Sequence, residues 1–188
     1  FQGQQAETNA TNFGYQVTST TPVQQTNIIG TDEVGNGSYF GGLAVVATYL
    51  SEADLPLIKK LGVDDSKKLT DVKIRQIAPI LKEKIQHQAL LLSPSKYNEV
   101  ISSGYNAVSV KVALHNQAIF LLEQALSTVP DHIIIDAFTT EKNYTKYLKK
   151  EKNQTKGQIT LRQKAESQLY DVAASSVIAR EMVLNSLE

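Results

Sequence analysis

Three consecutive β-branched residues, Ile133, Ile134 and Ile135, are followed directly by an acid, Asp136. This run favours a central strand covered on both faces, because successive side chains of a strand point to opposite sides of its sheet. It predicts a layered α/β fold with helices on both faces of the sheet. Chemistry in open α/β sheets takes place beyond the carboxyl ends of the strands, where Asp136 is expected. The alternative is that Asp136 only caps the following loop.

Strand and helix patterns alternate along the chain from Asn27 onward. A first strand begins at Ile28 and ends at two acids, and a glycine-rich turn joins it to a second strand as a hairpin. Apolar spacing predicts a further strand and four helices, and Thr70 and Asn106 are the expected N-caps of two of them. The expected further strands are 42–50 and 87–92, and the expected helices are 54–61, 70–84, 107–126 and 164–180.

Length and composition limit the class of protein. The 188 residues are 41% hydrophobic, which suffices for one main domain, and the absence of cysteine excludes disulfides, thiolate metal sites and a cysteine nucleophile. No apolar run is long enough to span a bilayer and the N-terminus lacks a secretion pattern, so we expect no membrane partner and a cytoplasmic location. A formal net charge of zero argues against a protein that holds nucleic acid by bulk charge alone.

Residues 1–26 are expected to form a disordered polar tail or linker. Gln, Asn and Thr dominate this segment, and such a composition buries too little apolar surface to offset the entropy of ordering. Its first residues, Phe1-Gln2-Gly3, are typical of the remnant of a tag-protease site. We therefore expect one folded domain at 27–188.

The two acids at the end of the first strand, Asp32 and Glu33, are adjacent. Carboxylates held side by side repel each other unless a shared cation compensates them, and a divalent metal with oxygen ligands is such a cation. Asp32 and Asp136 meet if their strands are parallel and adjacent. Neighbouring residues of a regular strand face opposite sides, so Glu33 shares the site only if the strand ends or bulges there. The alternative is a solvated turn that merely ends a strand.

Several other charged side chains allow two interpretations. The segment 141–164 carries eight Lys or Arg residues against two acids, which suits either a solvated helix face or a surface for phosphates. Glu166 lies in the first turn of the last expected helix, where a carboxylate also favours the helix dipole. Asp171 is expected to be solvated, and His115 is expected to have a structural role rather than one in proton transfer.

Four segments follow one another in a fixed order along the chain. They are Asp32-Glu33-Val34-Gly35-Asn36-Gly37, Asp65-Ser66-Lys67-Lys68-Leu69, Ile135-Asp136-Ala137-Phe138, and Lys164-Ala165-Glu166-Ser167 followed by 174–180. Together they resemble the catalytic domain of bacterial ribonuclease HIII, in the type 2 ribonuclease H family. Val34 and Glu166 favour this type over its sister, ribonuclease HII.

This resemblance implies a ribonuclease H-like mixed β-sheet flanked by α-helices on both faces. It implies an endoribonuclease that hydrolyses the RNA strand of an RNA/DNA hybrid and leaves 5′-phosphate and 3′-hydroxyl ends. Two ions, Mg²⁺ or Mn²⁺, would be held by four catalytic ligands: Asp32, Glu33, Asp136 and Glu166. The substrate contacts implied are Gly35, Asn36, Gly37, Ser66, Lys67, Lys68 and Lys164.

The chain also departs from the family pattern. Phe40-Gly41-Gly42 stands where the family commonly has Phe-Gly-Pro. We expect the family's N-terminal substrate-binding domain to be absent from this chain and the C-terminus to be truncated. Two alternatives stay open: ribonuclease HII-like cleavage at single ribonucleotides in duplex DNA, and a non-catalytic hybrid-binding module. We expect a monomer with no obligatory protein partner.

Overall fold

The computed structural model describes residues 26–35, 42–63 and 68–186, apart from the side chain of Glu166. The strands in these ranges are β1 Ile28–Val34, β2 Leu43–Leu50, β3 His87–Leu92, β4 His132–Asp136 and β5 Ile159–Arg162. The α-helices are α1 Leu55–Leu61, α2 Asp71–Lys84, α3 Pro94–Ser102, α4 Ala107–Ala125, α5 Glu141–Leu148 and α6 Tyr170–Ser186. The 3₁₀ helices Glu52–Asp54 and Ala165–Ser167 precede α1 and α6.

The five strands form one mixed sheet in the order β3-β2-β1-β4-β5. β2 pairs antiparallel with both β1 and β3, while β4 pairs parallel with both β1 and β5. The predicted hairpin is therefore confirmed, and so is the parallel, adjacent placement of the strands that carry Asp32 and Asp136.

Two apolar layers cover the two faces of the sheet. On one side, which we call the α4 face, α4 packs against a cluster that includes Ile29, Ile133 and Ile135. On the other side, the α6 face, α2 and α6 pack against a cluster that includes Val46 and Leu50. Each large aliphatic side chain buried in this way contributes roughly 1.5–3 kcal/mol. Helices thus cover both faces, as the isoleucine run predicts.

Helix α6 approaches the sheet closely because its contact side consists of small residues. Ser175 donates a hydrogen bond of 2.7 Å from Oγ to the carbonyl oxygen of Gly30, and Oγ lies 2.7 Å from Oγ1 of Thr48. A Cβ atom on Gly30 would lie 2.5 Å from Cγ of Asp171 and 2.8 Å from Cγ2 of Val172. Only glycine therefore fits at the centre of β1 beneath α6.

The expected N-caps are confirmed, whereas the predicted start of the last helix is wrong. Thr70 accepts a hydrogen bond from the Lys73 amide, and Asn106 accepts two at the start of α4. Helix α6 begins at Tyr170 instead of residue 164, because Lys164 takes a left-handed conformation with φ of 54° and a 3₁₀ turn follows. Helices α3 and α5 and strand β5 have no counterpart among the elements expected from the sequence.

The segment 1–26 lies almost wholly outside the described residues, which begin at residue 26. Among the helices of the described ranges, none is both long and apolar enough to cross a bilayer.

Candidate functional site

Asp32 and Asp136 lie side by side on the α6 face of the sheet. The parallel register pairs Thr31 with Ile135, so the next residue of each strand is an aspartate. Neighbouring strands lie about 4.8 Å apart. Asp32 is 6% exposed, and its Oδ1 accepts the amide of Glu33 at 2.8 Å. Two carboxylates therefore come together at the carboxyl ends of the central strands, as expected for parallel neighbours.

The 3₁₀ turn Ala165–Ser167 is hydrogen-bonded directly to Asp136 of this pair. The Ala165 amide donates a hydrogen bond of 2.8 Å to Oδ1 of Asp136, and Ala165 itself is fully buried. The backbone of Glu166 follows immediately. Its side chain lies outside the described part of the structure, so the position of the fourth predicted ligand is given only by its backbone.

Glu33 points to the opposite side of β1, the α4 face. Strand β1 continues in regular register to Val34, without a bulge. The Glu33 carboxylate accepts a hydrogen bond of 2.8 Å from Nε2 of His115 and lies 3.2 Å from Nζ of Lys111. Burial raises the pKa of Glu33, but the hydrogen bond from His115 and the charge of Lys111 outweigh burial and hold the pKa below its ordinary value.

His115 joins β1 to α4 from within the apolar layer. It is fully buried, and Nδ1 lies 2.8 Å from Oγ1 of Thr31. Its ring stacks on Phe138 at a centroid distance of 4.8 Å. With both ring nitrogens engaged by β1, His115 fits the structural role predicted for it.

Of the four predicted ligands, the structure brings two together on one face. Asp32 and Asp136 share the α6 face, and Glu33 turns to His115 and Lys111. Within the described ranges, no group of three or more His, Cys, Asp or Glu side chains is arranged to hold a metal ion. The aspartate pair offers hard oxygen donors, which suit Mg²⁺ or Mn²⁺.

Comparison with known proteins identifies the family. The family model for ribonuclease HII matches residues 29–188, which is most of the chain. The chain belongs to the ribonuclease HII family. The resemblance to ribonuclease HIII is confirmed by the ribonuclease HIII of Streptococcus pneumoniae (strain 70585), which is 63% identical over all of this chain. The chain spans 64% of the length of that relative.

Solved structures of this family share the fold. Bst-RNase HIII in complex with Mn²⁺ aligns with a TM-score of 0.80 and 38% identity, over 85% of this chain and 52% of that one. The RNase HII of Archaeoglobus fulgidus, in its complex with PCNA, aligns at 23% identity with a TM-score of 0.69, over 84% of this chain and 72% of that one. The ribonuclease H-like fold predicted from the four segments is confirmed.

The substrate-contact residues predicted from the ribonuclease HIII resemblance lie partly outside the described ranges. Gly35 follows β1 with φ of 90°, and a Cβ there would collide with the Gly42 carbonyl, so this position requires glycine. Lys68 and Lys164 are described and exposed. Asn36, Gly37, Ser66 and Lys67 fall outside the described residues.

The sequence did not predict the surroundings of two residues near the site of this ribonuclease HII family member. Lys111 contacts Glu33 one helical turn before His115, a spacing that places both on one side of α4. Asp171 is fully buried, so the expectation that it is solvated is wrong. Its place opposite Gly30 is set by the packing of α6 on β1, which the local sequence does not encode.

Proposed function

We propose that residues 27–188 form the catalytic domain of an endoribonuclease that hydrolyses the RNA strand of RNA/DNA hybrids with two divalent metal ions. The observation that carries this proposal is the pair of carboxylates, Asp32 and Asp136, on adjacent parallel strands and on one face of the sheet. The relative with 63% identity is a ribonuclease HIII, and the Bst-RNase HIII structure contains Mn²⁺. Both support this activity.

The chain's own residues suit a metal-dependent hydrolysis. Asp32 and Asp136 would hold the metal, with Glu166 as a further ligand that we propose. Glu33, the fourth ligand that we propose, must leave His115 and Lys111 on the α4 face to reach this metal. Two bound Mg²⁺ or Mn²⁺ ions supply an activated water and stabilise the leaving oxygen. Because a water activated by the metal would be the nucleophile, no protein nucleophile would be needed, which fits a chain without cysteine. The Ala165 amide orients Asp136 through its hydrogen bond to Oδ1.

We propose that the hybrid binds across the carboxyl ends of β1 and β4. Gly35 follows β1, three residues after Asp32, and is exposed. An exposed backbone of this kind can approach the 2′-hydroxyls that distinguish RNA from DNA. Lys68 and Lys164 would contact phosphates, together with the predicted residues Asn36, Gly37, Ser66 and Lys67. A cytoplasmic location and a monomeric state without a protein partner remain predictions.

A cleavage assay with two substrates tests the proposal. We expect Mg²⁺-dependent cleavage of a continuous RNA/DNA hybrid to exceed cleavage of duplex DNA that contains one ribonucleotide. Asp136→Asn should lower hybrid cleavage by about a hundredfold or more, because one carboxylate of the metal site is lost. Faster cleavage of the second substrate would favour ribonuclease HII-like specificity. Hybrid binding without cleavage, unchanged in Asp136→Asn, would instead indicate a binding module.

A further inference from the structure

A cleft of about 270 Å³ lies on the α4 face, between the start of α4 and the end of α5. We call it the tyrosine cleft, because two of its walls are tyrosine rings. The residues that line it are Ser103, Gly104, Tyr105, Ser109, Tyr147 and Lys150. Its volume is just below that of ordinary ligand sites, so it suits one small planar group such as a nucleobase.

The two tyrosine rings of the cleft are held in place by hydrogen bonds. The Tyr105 hydroxyl donates a hydrogen bond of 3.1 Å to Oε2 of Glu151. The Tyr147 hydroxyl accepts one of 3.1 Å from Nδ2 of Asn106. Both rings also pack in part against the apolar cluster of the α4 face. Since the rings are fixed before a ligand arrives, binding against them costs little side-chain freedom.

The chain around the tyrosine cleft is strongly positive. Residues 142–156 contain six lysines and one acid, Glu151, which accepts the Tyr105 hydroxyl. The six lysines are all exposed: Lys142, Lys146, Lys149, Lys150, Lys152 and Lys156. The Lys146 ammonium lies 5.2 Å from the centre of the Tyr147 ring. Aromatic rings among lysines bind single-stranded nucleic acid, because the rings stack on bases and the ammonium groups attract phosphates.

The tyrosine cleft lies at the end of the sheet that carries the aspartate pair. Helix α4 begins at this end, because its fifth residue, Lys111, contacts Glu33 near the end of β1. Ser109 is two residues before Lys111, which is about 3 Å along the helix axis. The other wall comes from α5, which follows Asp136 after a short loop. A strand bound across the carboxyl ends of β1 and β4 can therefore continue into the cleft.

We propose that the tyrosine cleft binds one unpaired nucleotide next to the hybrid. The base stacks on a tyrosine ring, and the phosphate contacts Lys150. A paired base cannot bind in this way, because its neighbours in the duplex cover its faces. The cleft therefore recognises a single-stranded extension of the RNA or the DNA strand. This subsite rests on the proposed function, since it holds an extension of the same substrate.

Fluorescence anisotropy of labelled hybrids, with chelator present so that no strand is cut, tests this subsite. The 188-residue chain is titrated into a blunt hybrid and into the same hybrid with a short unpaired extension on the RNA or on the DNA strand. We expect at least one extension to lower the dissociation constant about fivefold, as for one stacked base. The extension with the larger effect identifies the strand that enters the cleft. No gain in affinity from any extension would overturn the proposal.

Variants of the cleft show whether the gain arises there. Tyr147→Leu should abolish the gain from the extension and leave the affinity for the blunt hybrid unchanged, whereas Tyr147→Phe keeps the ring and should keep the gain. Lys150→Met changes an exposed side chain and does not endanger folding. It should reduce the gain about two- to threefold, as for one exposed charge contact. A full gain in Lys150→Met, or in a folded Tyr147→Leu, would contradict the subsite.

Lys84→Met is the matched control for loss of one positive charge. Lys84 is exposed at the end of α2, and the chain just beyond it hydrogen-bonds to Tyr49, which pairs with Ile29 near the start of β1. It therefore lies at the opposite end of the sheet from the cleft, and Lys84→Met should keep the full gain because distant exposed charges are screened. An equal loss in Lys84→Met and Lys150→Met would overturn the proposal.

Mg²⁺-dependent cleavage of the blunt hybrid separates this failure from a failure of the proposed function. Cleavage without any gain from an extension rejects the tyrosine cleft alone. A gain from an extension without cleavage rejects the nuclease activity and leaves the cleft as a binding site for single strands.

Discussion

Asp171 is a fully buried carboxyl group packed against Gly30. Its Oδ1 accepts the Val172 amide at 2.9 Å, and its Oδ2 has no hydrogen-bond partner in the described part of the chain. Burial raises the pKa of this carboxyl to about 7, and the backbone hydrogen bonds oppose the rise only in part. Asp171 is therefore neutral in the folded protein at pH values where the unfolded chain is ionised.

We expect the free energy of unfolding to decrease as the pH rises from about 4 to about 7. The folded state keeps the Asp171 proton over this range and the unfolded state loses it, so the stabilising contribution is complete below this window and lost above it. At about 1.4 kcal/mol per pKa unit, the loss is a few kcal/mol. Urea unfolding at acid and at mildly alkaline pH measures this loss of unfolding free energy.

Asp171→Asn stays neutral at every pH and should remove most of this decrease. Asp131→Asn is the control, because Asp131 is exposed and its loss should leave the pH dependence unchanged. The explanation fails if the slope of Asp171→Asn equals that of the original chain.

Sequence patterns located the residues that lie at strand ends better than those buried by distant packing. Asp32 and Asp136 each stand at a recognisable strand end, and parallel pairing of the two strands brings them together. The burial of Asp171 depends on a contact with Gly30, far away in the sequence. The ion pair of Glu33 with Lys111 likewise depends on how α4 crosses β1.

Among the elements, β1 and α6 make a contact that depends on a single residue type. Gly30 is the position where α6 rests on the sheet, and Ser175 hydrogen-bonds to its carbonyl. The contact leaves no room for a methyl group, because Asp171 and Val172 already fill the space. The distance between helix and strand is thus set by the absence of a side chain at one residue.

Gly30→Ala should lower the free energy of unfolding by about 3 kcal/mol, because the new methyl group pushes α6 away from β1. Gly62→Ala is the comparison: nothing lies within 4 Å of its added Cβ, and only its φ of 73° opposes the change. That strain costs about 1–2 kcal/mol. Thermal and urea unfolding measure the stability of both variants. Equal losses of unfolding free energy in the two variants would contradict the clash at Gly30.

The long, strongly patterned elements were predictable, and the short polar ones were not. Helix α4 has a wide apolar stripe and an Asn106 cap, so its predicted range differs from the observed one by a single residue. Helix α5 is short and carries mostly polar residues, and β5 has four residues. Such elements are stabilised by packing against the rest of the molecule rather than by their own pattern.

For the molecule as a whole, pairing β1 with β4 places like charges next to each other. This arrangement costs stability when no cation is bound, and a cation that binds only the folded state recovers it. The layered α/β class could be predicted because the run Ile133–Ile135 requires cover on both faces, with Ile133 and Ile135 now buried under α4. The order of the strands in the sheet could not be predicted, because it depends on pairing between distant segments.

Added Mg²⁺ should raise the melting temperature of the chain by a few degrees, as expected for a ligand of the folded state. Asp32→Asn should lose this Mg²⁺-dependent increase, because one carboxylate of the proposed metal site is removed. Differential scanning calorimetry with chelator and with Mg²⁺ measures both effects. Equal Mg²⁺ responses in the two proteins would contradict a metal site at Asp32.

The pairing of β1 with β4 also has a consequence for protein synthesis. Strands β1, β2 and β3 pair with their neighbours in the chain, whereas β4 comes from its second half. The three-stranded meander can therefore form before β4 is available for pairing. Asp32 meets Asp136 only after β4 has left the exit tunnel, so the aspartate pair is completed late in the synthesis of the chain.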